Sequence, residues 1–139
     1  LSKSQASKAL TLANQAIAIE PKEGSFFLLK GEAYRKLGDN QKAMEAFNTA
    51  IRLKPSFYQN YLQRGLLNRE LRKDSKALRD LKKSARLLPT SVAYLKIGEI
   101  QLDRGNKSKA VKAFQFASQD TETQYGQKAL EWINRLESK

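Results

Sequence analysis

The chain has 139 residues, 40% of them apolar, and a formal net charge of +12 from 26 Lys and Arg against 14 Asp and Glu. This composition indicates a folded core rather than a disordered chain, and no stretch approaches the roughly 18–20 consecutive apolar residues of a membrane span. Cysteine and histidine are absent, which excludes disulfides, Ser/His and Cys/His catalytic pairs and Cys- or His-ligated metal sites, so we expect no enzyme, metal or cofactor in this segment.

A repeat of about 34 residues organises the chain. Small residues and prolines recur at intervals of 33 or 34: Gly31, Gly65 and Gly98; Ala9, Ala43, Ala77 and Ala110; Pro21, Pro55 and Pro89. A fixed period of this length is the sequence signature of a repeat architecture, in which each unit packs against its neighbours.

The first element, residues 4–21, aligns with only the second helix of a unit. We therefore expect the matching first helix to lie upstream, and the chain to be a piece of a longer protein. Residue 1 is Leu and no apolar stretch follows a basic start, so no signal peptide is expected. The half unit would expose the face that its partner covers, which predicts end-to-end self-association.

Three full units follow, at residues 24–57, 58–91 and 91–124, and each has the pattern helix, turn, helix. Apolar residues spaced by three and four predict the helices, and turn residues such as Gly38 separate them. Glycine inside a helix costs about 0.5–1 kcal/mol relative to alanine. We therefore predict that the repeated glycines mark close contact between the two helices, with the column of Ala43 as the matching small surface. A helical stripe around Trp132 predicts a capping helix over residues 125–139; the alternative is a degenerate fifth helix pair that is cut short.

This pattern resembles the tetratricopeptide repeat, a 34-residue helix–turn–helix unit. The first full unit matches the family signature at Phe27, Gly31, Tyr34, Ala43, Phe47, Ala50 and Pro55. The later units depart from it, with Asn68 and Gln101 in place of the tyrosine. The resemblance implies an all-α fold: a right-handed superhelical solenoid of antiparallel helix pairs, with about 3.5 repeats plus the capping helix, in a single domain over residues 1–139.

The resemblance also implies that the first helices line a concave groove that binds a peptide or a partner protein. The matching positions are Leu28, Glu32, Arg35, Leu62, Leu66, Arg69, Leu95, Glu99 and Leu102. Leu28, Leu62 and Leu95 lie one repeat apart, and we expect them to form an exposed row. The alternative is that neighbouring helices, or another part of a longer chain, cover them. The carboxylate clamp of chaperone-binding family members is not matched, since only Lys96 carries a suitable charge there.

A second candidate surface is a basic stripe on the second helix of the middle unit. Its residues, spaced by three and four, are Arg72, Lys76, Arg79, Lys83 and Arg86, and the buried face of the same helix is predicted to hold Leu78, Leu81, Ala85 and Leu88. The stripe suits an acidic protein or an anionic membrane surface, or it only keeps the solenoid soluble. No aromatics interleave with it and no nucleic-acid-reading motif is present, so the pattern disfavours nucleic acid.

Residues 57–89 and 87–117 also resemble the repeat tails that follow the catalytic domain of some bacterial CAAX-protease-like zinc metallopeptidases. That family holds zinc with an HExxH helix and a distant carboxylate, and this segment has no histidine to contribute. Two functions therefore stay open: a non-catalytic interaction scaffold in the cytoplasm, or the docking tail of a metallopeptidase in the bacterial periplasm or envelope. An HExxH motif upstream in the same reading frame would decide for the second.

Overall fold

The computed structural model describes residues 1–138, and eight α-helices run through them with no strand among these residues. The helices are α1 (Lys3–Ile19), α2 (Gly24–Leu37), α3 (Asn40–Leu53), α4 (Tyr58–Glu70), α5 (Asp74–Leu87), α6 (Ser91–Asp103), α7 (Lys107–Ala117) and α8 (Gln124–Glu137). The predicted all-α fold class is confirmed. None of the helices in the described part of the chain is long and apolar enough to cross a membrane.

The helices pack as consecutive antiparallel pairs, α2 with α3, α4 with α5 and α6 with α7, and each pair stacks on the next. First helices also touch across units, α2 with α4 and α6 with α8. The first helices therefore line the inner, concave side of the stack, and the second helices α3, α5 and α7 form its outer side. Helix α8 packs against both α6 and α7.

Short polar side chains begin several of these helices. Asp39 accepts a hydrogen bond from the Lys42 backbone N–H at the start of α3, and Thr123 does the same for the Gly126 N–H at the start of α8. Such caps satisfy backbone donors that have no partner within the helix. They help to fix the first residue of the helices that have them, whereas α4, α5 and α7 begin without a side-chain cap.

The turn between the two helices of each unit contains one residue with positive φ. Gly38 and Gly105 occupy this position in the first and third units, at φ +85° and +79°, whereas the second unit has Arg72 at φ +62°. A side chain in this left-handed conformation is strained, because its Cβ crowds the following carbonyl oxygen. Arg72 thus belongs to the α4–α5 turn and not to α5, which corrects the predicted extent of the basic stripe.

We expect Arg72→Gly to raise the free energy of unfolding by about 0.5–1 kcal/mol, since glycine removes the left-handed strain at some cost in chain entropy. Urea unfolding followed by circular dichroism measures the change. Arg72→Ala is the matched control, because it removes the same charge but keeps the strain. An equal gain from both variants would assign the effect to charge and contradict the backbone explanation.

The repeated glycines make room for a large side chain of the second helix. A Cβ on Gly31 would lie 2.5 Å from Cδ1 of Phe47, and one on Gly98 would lie 2.6 Å from Cδ1 of Phe114. Both rings are fully buried. The close contact between helices was predicted correctly, but its partner is a large side chain, Phe47 or Phe114 in these two units and Leu81 in the second unit, and not the buried alanine of the Ala43 column.

Candidate functional site

The predicted leucine row is buried. Leu28, Leu62 and Leu95 are only 6%, 7% and 1% exposed. Leu28 packs in a core cluster with Leu67 of the following unit, and Leu95 packs with Ile133 of α8. Each of these leucines faces the next layer of the stack, so the expectation of an exposed apolar row is wrong and neighbouring helices cover it.

The concave side instead carries ion pairs that join successive units. Arg35 binds Glu70 and donates to Gln63 Oε1 at 3.1 Å, and Arg69, one repeat later, binds Asp103. Arg69 also donates to both carboxylate oxygens of its neighbour Asp74, at 2.8 and 2.9 Å. Partial burial lowers the pKa of Arg69, and the hydrogen bonds to Asp103 and Asp74 more than offset this, so that its pKa is raised. The two arginines form a ladder along the groove.

The acidic groove residues have different environments. Glu99 accepts a hydrogen bond from Trp132 Nε1 at 3.4 Å and lies 3.3 Å from Lys96 Nζ and 3.8 Å from Lys128 Nζ. Glu32 is partly buried, and this burial raises its pKa although Arg35 acts in the opposite direction. The groove therefore contains one acid that is tied to α8 and one whose charged form is disfavoured.

Two of the predicted leucines keep part of their surface open on this side. Leu66 packs partly against the core of the middle units, and Leu102 packs partly against the cluster beneath α8. At the same register the other units carry charged residues, Glu32 and Glu99 for Leu66, and Arg35 and Arg69 for Leu102. The groove is thus a polar, internally paired surface with two isolated apolar positions.

The basic stripe on α5 is smaller than predicted. Lys76, Arg79 and Arg86 are exposed, and Lys83 is half-buried with its Nζ 5.8 Å from the centre of the Tyr61 ring. None of these four forms a salt bridge with another residue in the region that the structure covers, 1–138. The predicted buried face is correct except for Leu88, which follows the end of α5 and is exposed.

A buried polar network lies beneath the stripe and was not predicted. Asp80 is almost fully buried and accepts hydrogen bonds from Arg64 Nε and Nη2 at 2.9 and 2.8 Å, and from Asn68 Nδ2 at 3.1 Å. Arg64 also donates to Asn48 on α3 at 3.0 Å, which ties the middle unit to the preceding one. The chain sequence shows only charges at helical spacing, and nothing in it marks Asp80 as an internal residue.

Three shallow grooves occupy one register in the three units, each between the first and second helices of its unit. In the second and third units the second helix of the preceding unit also lines the groove. Each is lined by a member of one lysine column, Lys42, Lys76 and Lys109. The sequence contained this signal, since each lysine directly precedes a residue of the alanine column. The basic stripe was defined on a single helix, so it does not describe the lysine column, which runs across three units.

No cluster of acidic side chains suited to a metal ion is found among residues 1–138. The described surfaces offer charged groups, hydrogen-bonding groups and apolar side chains. The two surfaces differ most in how their charges are paired: the concave side carries ion pairs, and the outer side carries basic residues of α5 without salt bridges in the part of the chain that the structure describes.

Comparison with known proteins identifies the repeat. Residues 25–57 and residues 92–115 each match a family model described as the tetratricopeptide repeat. A search of curated proteins found no significant match. These comparisons give no support to the resemblance to metallopeptidase tails, which stays a prediction.

Solved structures of low sequence identity share the fold. The crystal structure of MamA is 20% identical, with 99% of this chain and 94% of that chain covered and a TM-score of 0.74. TTC0263, a thermophilic TPR protein of Thermus thermophilus, is 21% identical over 92% of this chain and 73% of its own, with a TM-score of 0.77. A chain of the APC/C hetero-tetramer Cut9–Hcn1 is 21% identical over 87% of this chain and 24% of its own, with a TM-score of 0.76. The chain therefore has the fold of a right-handed superhelical tetratricopeptide-repeat solenoid, and residues 25–57 and 92–115 match that repeat.

Proposed function

We propose that this solenoid is a non-catalytic scaffold that binds a peptide or a partner protein through its concave side, with the basic stripe as a second contact. The observation that carries the proposal is the ladder of Arg35 and Arg69, because it places paired charges at matching positions of successive units. A tetratricopeptide-repeat fold in itself indicates an interaction scaffold, and the ladder points to the side that is used.

The ladder lowers the entropic cost of binding. A flexible side chain that is ordered only on association costs about 0.5–1.5 kcal/mol. Arg35 and Arg69 are already held by Glu70 and Asp103 in the free protein, so much of this cost is met on folding. A partner segment that offers both charged and apolar side chains fits a surface of ion pairs interrupted by Leu66 and Leu102.

A variant matched to the repeat tests this use of the concave side. Leu66→Glu with Leu102→Arg replaces each leucine by the residue at the same register of the neighbouring units, and leaves the net charge unchanged. The partner is first isolated with the wild-type chain as bait and then purified. We expect the variant to stay helical and to bind this partner at least about tenfold more weakly than the wild type. A loss of this size is typical when a buried interface anchor is removed.

A second variant separates the two surfaces. Arg79→Glu, Lys83→Glu and Arg86→Glu reverse the stripe and leave the groove intact. If only this variant weakens binding, and added salt weakens it in the wild type, electrostatic docking on the outer side replaces the concave proposal. Isothermal titration calorimetry of both variants against the purified partner distinguishes these outcomes.

Other expectations from the sequence stay predictions. They include the domain division with α8 as a cap, the metallopeptidase-tail alternative, the cellular location and docking to an anionic membrane. Self-association through α1 belongs with them, and the exposed side chains of Leu12 and Ile19 on that helix are consistent with it.

A further inference from the structure

The groove of the third unit differs from the other two because it is apolar and carries an aromatic pair, of which Phe116 is exposed and Tyr94 is partly buried. Tyr94 of α6 and Phe116 of α7 stack with their ring centroids 5.0 Å apart. Ile97 and Ala113 also line the groove, whose volume is about 250 Å³. This is below the roughly 300–1,000 Å³ of small-molecule sites, so the groove itself suits one side chain. Tyr94 and Phe116 also line an adjoining open cleft of about 880 Å³, which leaves room for the rest of a peptide.

The fold does not require an aromatic residue at position 116. The residues at this register are Thr49 in the first unit and Lys83 in the second, and both units form the same helix pair. Phe116 is nevertheless 47% exposed. The stack on Tyr94 accounts for the buried part of the ring, while its exposed part is open to contact, and aromatic residues are frequent anchors of interfaces.

Three lysines line this apolar groove, whereas the adjoining cleft that shares Tyr94 and Phe116 is lined by Asp120. The lysines of the groove are Lys82 of the preceding unit and Lys109 and Lys112 of α7, and none of the three forms a salt bridge within residues 1–138. Helix α7 contains no acidic residue at all. The neighbouring groove of the second unit adds Lys76 and Arg79, so the positive potential extends beyond the apolar site.

We propose that this outer groove docks an acidic segment of a partner protein. One aromatic or large aliphatic side chain of that segment packs against Tyr94 and Phe116, and flanking carboxylates pair with Lys82, Lys109 and Lys112. A recessed site of side-chain size favours a peptide over a lipid surface, which is broad. It also favours a peptide over nucleic acid, since the two rings already stack on each other. The site lies outside the concave groove and the basic stripe, and goes beyond the function proposed above.

Fluorescence anisotropy with short synthetic peptides tests the site. The probe is a labelled peptide of glutamate and serine with one central phenylalanine. Two comparison peptides carry alanine in place of the phenylalanine, or lysine in place of the glutamates. We expect the probe to bind the wild-type chain at least about tenfold more tightly than either comparison peptide.

Two variants with matched controls locate the binding. Phe116→Thr introduces the residue of the first unit, and Lys109→Glu with Lys112→Glu reverses the rim; each is expected to weaken probe binding at least about tenfold. Leu130→Thr, at an equally exposed position of α8, and Lys3→Glu with Lys8→Glu, which has the same charge change on α1, are expected to bind like the wild type. Circular dichroism checks that every variant remains helical.

Three results would overturn the proposal. The first is equal binding of the alanine peptide, and the second is an equal loss with the matched controls. The third is tighter binding of single-stranded oligothymidylate or of anionic phosphatidylserine vesicles than of the probe. The Leu66→Glu, Leu102→Arg variant is expected to bind the probe normally, so failure of the concave proposal and failure of this one are separate outcomes.

Discussion

Gly31→Ala is expected to lower the free energy of unfolding by about 2 kcal/mol. Overpacking a core costs about 1–3 kcal/mol, and alanine regains about 1 kcal/mol through its higher helix propensity. The cost is placed at the upper end because the added Cβ would lie 2.5 Å from Cδ1 of Phe47, and this ring is fully buried. Urea unfolding followed by circular dichroism measures the loss.

The second unit provides an internal control. The residue facing Gly65 is Leu81, and a Cβ there would lie 3.0 Å from its Cγ and 3.1 Å from Cδ2. Because the contact is longer and leucine can adjust its rotamer, we expect Gly65→Ala to cost no more than about 1 kcal/mol. Equal losses at Gly31 and Gly65 would show that the aromatic ring is not the cause.

A double variant isolates the contact itself. Phe47→Leu gives the first unit the glycine–leucine contact that Gly65 and Leu81 form in the second unit. Gly31→Ala combined with Phe47→Leu should therefore lose less stability than the sum of the two single variants. We expect a coupling of about 1–2 kcal/mol, within the usual range for residues in contact. Additivity of the two single changes would contradict a direct clash.

Asp80→Ala is expected to destabilise the chain by about 3 kcal/mol, the lower end of the range for breaking a buried ion pair. The substitution leaves the Arg64 guanidinium and the Asn68 amide without their acceptor. The lower end applies because the Arg64 side chain is 26% exposed, so water can partly solvate its charge. Thermal and urea unfolding report the loss.

The third unit indicates which substitutions should restore the stability lost in Asp80→Ala. It has Ile97, Gln101 and Ala113 at the positions of Arg64, Asn68 and Asp80. Replacing a buried ion pair by packed apolar residues is often neutral, so the triple variant Arg64→Ile, Asn68→Gln, Asp80→Ala should return to within about 1 kcal/mol of the wild type.

A partly exposed ion pair serves as the comparison for this network. Asp103→Ala removes the partner of Arg69 on the concave side, and is expected to cost no more than about 1 kcal/mol. If Asp80→Ala has no greater effect than Asp103→Ala, the network under the stripe does not hold the first two full units together.

The sequence by itself determined the repeat, the helices and the fold class. The period of 33 or 34 residues is visible in Gly31, Gly65 and Gly98, and helical spacing and turn residues act within a few positions along the chain. Local signals of this kind do not depend on how one unit sits on the next. The close helix contact at the glycines followed from the same reasoning, because glycine inside a helix requires a steric cause.

Only the tertiary structure decided which side chains are open to a partner. Leu28, Leu62 and Leu95 are buried because the next layer covers them, and Asp80 is internal because it meets Arg64 between two helices. The opposite holds for Phe116, an aromatic residue that lies open beside three lysines. Periodicity gives the face of a helix that a residue occupies, whereas the angle and offset at which units stack determine whether that face meets protein or water.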